Sequence, residues 1–178
     1  MTGPFKIWLH RGFYLAFGLL TLAIPLLPLG FTTDKLPMPD LFFSLTICWV
    51  VREKDSAPML VVAALAIIAD GILMRPVGFW ALMIIVISEL VRKNDRLFRD
   101  GGILVELAFF IVSFAAALVI QNVVLFLIFA DTFPVGQLVQ IVIYSALCYP
   151  LFALILHYIL RVRGPVTKNQ PDRVGKVG

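Results

Sequence analysis

Residues 57–91 read APMLVVAALAIIADGILMRPVGFWALMIIVISELV, and this stretch decides the class of fold. Two apolar runs, 57–74 and 77–91, are separated only by Arg75 and Pro76, which leaves room for a tight turn and little else. Each approaches the length of about 20 apolar residues that a helix needs to cross hydrocarbon. The stretch therefore predicts a helical hairpin in lipid, with one carboxylate, Asp70, near its turn.

Working outward, the chain offers four more apolar segments at 12–31, 36–51, 103–130 and 135–160. With 61% apolar residues, 15% charged and a mean hydropathy of +0.98, 178 residues are too hydrophobic for a single soluble core. The expected architecture is all-α: a polytopic bundle of six transmembrane helices over residues 1–163, followed by a basic, flexible cytoplasmic tail at 164–178. Lys6 and Arg11 precede the first apolar segment as in a signal peptide, but Pro25, Pro28 and Gly30 stand where a small-x-small cleavage site would be needed. The segment is read as a retained helix.

Basic residues set orientation, because Lys and Arg in short loops stay cytoplasmic. With an inside N-terminus, thirteen of the fifteen basic residues fall on the inner side, and Lys35 and Arg75 alone fall outside. Both termini are thus expected in the cytoplasm. The outer connections, 32–35, 75–76 and 131–134, are too short to form a domain. The net charge of +4 is scattered between apolar blocks, so it reads as a topology signal and membrane-lipid contact, with no nucleic-acid partner. Cys48 and Cys148 lie far apart in apolar runs and read as packing residues. No cofactor or metal is expected.

Ionisable groups at membrane depth require a partner or a role. Ala63, Ala66 and Asp70 share a face at i, i+3 and i+7, so Asp70 sits on a small-residue stripe. It is expected to brace the turn containing Gly71, Arg75, Pro76 and Gly78 through its arginine or through turn amides; a ligand or ion contact is the alternative. Asp40, after Pro39, is placed to cap a helix. Glu89 and Glu106 are expected to pair with Arg92, Lys93, Arg96 and Arg99, or else to line a proton path. The stripe Gln137, Gln140, Tyr144 and Cys148, and the residues Ser113, Gln121 and Asn122, read either as interhelical hydrogen-bonding groups or as the lining of a cavity. His157 reads as an interfacial polar residue. No P-loop, G-x-S-x-G, H-E-x-x-H or C-x-x-C occurs, so no catalytic residue is assigned.

Residues 39–90 carry a Pro-Asp start to an apolar helix, Trp49 followed by Arg52 in a basic inner loop, a helix ending at Asp70, and the turn Pro76-Val77-Gly78. With the later Arg96-Leu97-Phe98-Arg99 and Tyr149-Pro150, this order and spacing resemble the rod shape-determining protein family MreD. The resemblance implies a non-enzymatic scaffold of the bacterial cell-elongation, peptidoglycan-synthesis complex in the inner membrane. Its expected partners are an MreC-like single-span protein and, indirectly, a RodA-like glycosyltransferase, a class B penicillin-binding transpeptidase and an MreB-like filament. It also implies a fold similar to the substrate-binding subunits of vitamin transporters, which keeps a small-molecule or lipid-binding transporter subunit as the rival. Asp40, Asp70, Gly71, Arg75, Pro76 and Gly78 are the expected partner-binding or structural residues.

Overall fold

The computed structural model describes residues 4–27, 38–73 and 75–160, and among these every regular element is helical. Helix α1 spans Pro4–Ala23, followed by a single 3-10 turn, Ile24–Leu26. Then come α2 (Leu41–Arg52), α3 (Met59–Ile72), α4 (Phe79–Lys93), α5 (Asp95–Leu127) and α6 (Val135–Leu160).

Local chemistry explains most of these limits. Helix α1 opens on Pro4, whose fixed φ suits a first turn and whose missing N–H costs nothing there. It gives way to the 3-10 turn where Pro25 withholds a donor. Helix α2 starts only after Asp40, whose side chain accepts a hydrogen bond from the Phe43 amide. Gly78, at φ 89°, turns the chain into α4. Gly102, at φ 65° and ψ −171°, kinks α5, so the first turns of α5 leave the axis of the long segment that follows.

The expectation of six transmembrane helices is corrected here. Three helices among the described residues are long and apolar enough to cross a membrane: Ile7–Leu26, Gly101–Leu127 and Val135–Tyr158. Helices α2, α3 and α4 have 12, 14 and 15 residues, about 18–22 Å at 1.5 Å per residue, against a hydrocarbon core of about 30 Å. The apolar runs had counted turn residues as span. Asp40 and its Pro39 neighbour cut the run 36–51, Pro58 and Leu73 bound the run 57–74, and Gly78 delays the next helix. The first helix begins before the apolar run 12–31, at Pro4, so Lys6 and Arg11 lie inside α1. The expected tail at 164–178 falls outside the described residues.

Helix α2 is the axis of the fold. It packs against α1, α4, α5 and α6, and Phe42 through Val50 are all buried, as befits a helix apolar on every side. Phe43 meets Trp80, Phe110 and Phe114 with ring centroids 5.8, 5.6 and 4.8 Å apart, and Tyr149 packs at a tilt against Phe110 at 4.8 Å. Four helices thus converge on one aromatic cluster. On the other side Tyr14 of α1 shares a hydrogen bond with Thr46 at 3.2 Å and packs edge-on against Trp49. Large apolar residues on α5 and α6, including Leu104, Val112, Val119, Val123, Leu147 and Leu154, point outward. A water-facing protein does not expose so continuous an apolar surface, and these helices fit a multi-spanning membrane protein.

Candidate functional site

Two polar clusters lie at opposite ends of α2, each joining an end of that helix to the interiors of neighbouring helices. At the first, Asp40 caps α2: its Oδ1 accepts from the Phe43 N–H at 2.9 Å. The Asp40 backbone N–H donates to Ser145 Oγ of α6 at 2.9 Å. Ser44 Oγ donates to the Asp40 carbonyl at 2.9 Å and contacts the Ser145 carbonyl at 3.3 Å. Arg75 closes the cluster from the α3–α4 turn, with Nη1 2.8 Å from Asp40 Oδ2 and its guanidinium 5.0 Å over the Trp80 ring. The pair joins the start of α2 to the end of α3.

Asp70 caps a helix to which it does not belong. Its Oδ2 accepts from the Gly78 N–H at 2.8 Å and from the Ala81 N–H at 3.3 Å, while its carbonyl accepts from the Arg75 N–H at 3.0 Å. A carboxylate at a helix N-terminus satisfies free amides and meets the positive end of the dipole. Of the two bracing routes, the structure uses the turn amides; the arginine goes to Asp40 instead. Asp70 is fully buried, and its Oδ1 and the Trp80 indole N–H have no partner among the described residues.

The six expected residues are therefore not one constellation. Asp40, Asp70, Arg75 and Gly78 are joined by hydrogen bonds, and the Pro76 carbonyl receives the Phe79 N–H at 3.2 Å. Gly71 lies apart on the exposed face of α3, with open space where a side chain would stand. Gly78 has a specific duty, because only glycine adopts its left-handed φ cheaply. Nothing surrounds its missing Cβ, so Gly78→Ala is expected to cost backbone strain alone, about 1–2 kcal/mol, read as a lower unfolding midpoint in detergent.

The second cluster escaped the sequence. Arg52 Nη2 lies 2.9 Å from Glu106 Oε2, with the two side chains 7% and 2% exposed. Tyr149 OH donates to the same Glu106 oxygen at 3.2 Å. Arg52 Nη1 reaches the Cys48 carbonyl at 3.1 Å and Cys48 Sγ at 3.0 Å. The expected pairing of Glu106 with the basic run 92–99 is thus corrected: α5 turns Glu106 inward against α2, and the buried guanidinium is the charge it meets. Glu89 does stay with Arg92, at 3.5 Å. Two apolar helices ending in opposite charges at one depth were the available signal, but choosing among five nearby cations required the packing.

Around this end lie Lys54 and Asp95, 3.1 Å apart, and His10, buried and 3.8 Å from Glu53. Arg92 Nη2 donates to the Ala57 carbonyl. Of the α6 stripe, Gln137 and Gln140 are exposed and Tyr144 and Cys148 half-buried. Asn122 clamps the α5–α6 turn, donating to the Phe133 carbonyl at 3.2 Å and accepting its N–H at 2.9 Å. Beside it lies an open apolar groove of about 390 Å³ along Val119, Val123, Phe126 and Leu138.

No group of three or more His, Cys, Asp or Glu suited to a metal occurs among the described residues. Both clusters are dominated by charges satisfied within the protein, an arrangement that holds helices at fixed positions. Comparison with known proteins finds no matching family model, no curated relative and no solved structure of matching fold, which leaves the expected likeness to vitamin-transporter subunits without a structural counterpart.

Proposed function

We propose that this chain is a non-enzymatic membrane scaffold of the bacterial cell-elongation complex, the role implied by its resemblance to the MreD family. In this reading it lies in the inner membrane and holds an MreC-like single-span protein. Through that partner it supports a RodA-like glycosyltransferase, a class B penicillin-binding transpeptidase and an MreB-like filament. The observation that carries the reading beyond resemblance is the rigid polar staple formed by Asp40, Arg75, Asp70 and Gly78. It fixes the start of α2, the end of α3 and the start of α4 relative to one another, a firm edge against which a single-span partner helix can pack.

The distribution of basic residues supports an orientation for this reading. Arg11, Arg52, Lys54, Arg92, Lys93 and Arg96 gather at the Glu106 end, and Arg75 stands at the other. By the positive-inside rule the Glu106 end faces the cytoplasm.

The test is recovery of partners. In a mild detergent, wild-type protein is expected to co-purify the MreC-like and synthase-like proteins. Asp70→Asn, which keeps one acceptor oxygen but loses the charge, is expected to reduce that recovery several-fold and to impair rod shape. Wild-type recovery and shape in Asp70→Asn would remove the staple from the account.

A further inference from the structure

At the Glu106 end three neighbouring helices change from charged to apolar at one level. Arg92 of α4 bonds to the Ala57 carbonyl, and Lys54 pairs with Asp95 at 3.1 Å, so the turn before α3, the end of α4 and the start of α5 lie side by side. On the bundle side of these groups the exposed side chains are apolar: Leu60 on α3 is 84% exposed, Leu90 on α4 44% and Leu104 on α5 77%. Glu89, half-buried at that level, pairs with Arg92 at 3.5 Å. Such a change marks the edge of hydrocarbon, where headgroups begin.

The first turns of α5 lie across this boundary instead of running straight out through it. In a straight helix Phe98 and Phe109 would stand about 16 Å apart along the axis. The bend at Gly102 brings their rings to 5.1 Å, edge-on. Phe98 is buried, whereas Arg96 and Leu97 are exposed, so the segment turns its ring to the bundle and its cation outward.

Lys54 is engaged by Asp95 and Arg92 by Glu89. Lys93 and Arg96, both exposed, have no ion pair or hydrogen bond among the described residues. Lys93 also ends an apolar row on α4, in which Leu82, Val86 and Leu90 precede it at helical spacing and are 53%, 46% and 44% exposed. From Leu82 to Lys93 the row measures about 16 Å, close to one leaflet of a hydrocarbon core about 30 Å thick. A phospholipid standing in that leaflet lays an acyl chain along the row and brings its phosphate level with Lys93, at the depth where phosphates ordinarily lie. Two unpaired cations favour a lipid of net negative charge over a zwitterionic one, whose own ammonium offsets its phosphate.

We propose that Lys93 and Arg96 bind the headgroup of an anionic phospholipid, with one of its acyl chains along Leu82, Val86 and Leu90 of α4. The site goes beyond the scaffold reading and requires only that the chain lie in a bilayer. It is tested with no partner present, so its failure and the failure of the scaffold reading are separate results.

The test uses the purified full chain in dodecyl maltoside and reads the thermal unfolding midpoint. At the same saturating concentration, dioleoyl phosphatidylglycerol is expected to raise it by at least about 4 °C more than dioleoyl phosphatidylcholine does. Sodium chloride at about 0.5 M is expected to remove most of that difference. Inorganic phosphate and polyglutamate are expected to leave the midpoint unchanged. Lys93→Gln/Arg96→Gln is expected to respond equally to the two lipids, and Lys93→Arg/Arg96→Lys to keep the difference. Both side chains are exposed and unpaired among the described residues, so neither variant removes a contact that holds the fold. An equal rise with phosphatidylcholine, a rise with polyglutamate or inorganic phosphate that matches that of phosphatidylglycerol, or an undiminished difference in Lys93→Gln/Arg96→Gln each overturns the proposal.

Discussion

Glu106→Ala is expected to lower stability by about 3–5 kcal/mol, the cost of leaving one member of a buried ion pair uncompensated. Arg52 is 7% exposed and Glu106 2%, so neither charge can turn to solvent when its partner is removed. The alanine would also strip Tyr149 OH of its acceptor and leave Arg52 with only the carbonyl and thiol of Cys48. The decisive comparison is the double variant Arg52→Met/Glu106→Leu. Since well-packed apolar residues replace buried ion pairs with little loss and at times a gain, the double variant is expected to melt much closer to wild type than Glu106→Ala does. Denaturation in one detergent, followed by helical circular dichroism, measures both. A double variant as unstable as the single one would show that the cluster holds α2, α5 and α6 through more than its charges.

Phe43→Ala should cost a similar amount, about 3–5 kcal/mol, for a different reason. Phe43 is fully buried and its ring lies within 6 Å of those of Trp80, Phe110 and Phe114. In a membrane there is little transfer term to lose, because lipid tails are as apolar as the core; close packing holds helices together there. The cost therefore comes from the cavity and from aromatic pairs worth about 0.5–1.5 kcal/mol each. Phe43→Leu, which refills most of the volume, is expected to lose less than half as much. Equal losses would assign the effect to the ring contacts alone, and a negligible loss in Phe43→Ala would mean that α2 is not the axis of the bundle.

These two variants probe what the sequence could not reveal about α2. From the chain alone, 36–51 is one apolar segment among several, and nothing marks it as the central one. Its position comes from its neighbours: α1, α4, α5 and α6 all pack on it, so Ser44, Thr46 and Cys48 are buried along with Phe43 and Trp49. Enclosure on every side also explains how a 12-residue helix can sit in an assembly with helices more than twice its length. Protein, not lipid, covers its ends.

Read alone, the sequence determined the features that depend on composition and near neighbours. Helical structure throughout the described residues followed from long apolar runs. The roles of Asp40 as a cap and Gly78 as a turn residue followed from spacing of a few positions, because capping and left-handed φ act within one turn of chain. Tertiary structure decided the features that depend on which helix lies beside which. One such feature was how many helices are long enough to span, three among the described residues, because an apolar run does not show where the helix within it starts and stops. The partner of Glu106 was another: Arg52 is 54 positions away in sequence, yet buried beside it at 2.9 Å, and only packing brings those charges to one depth.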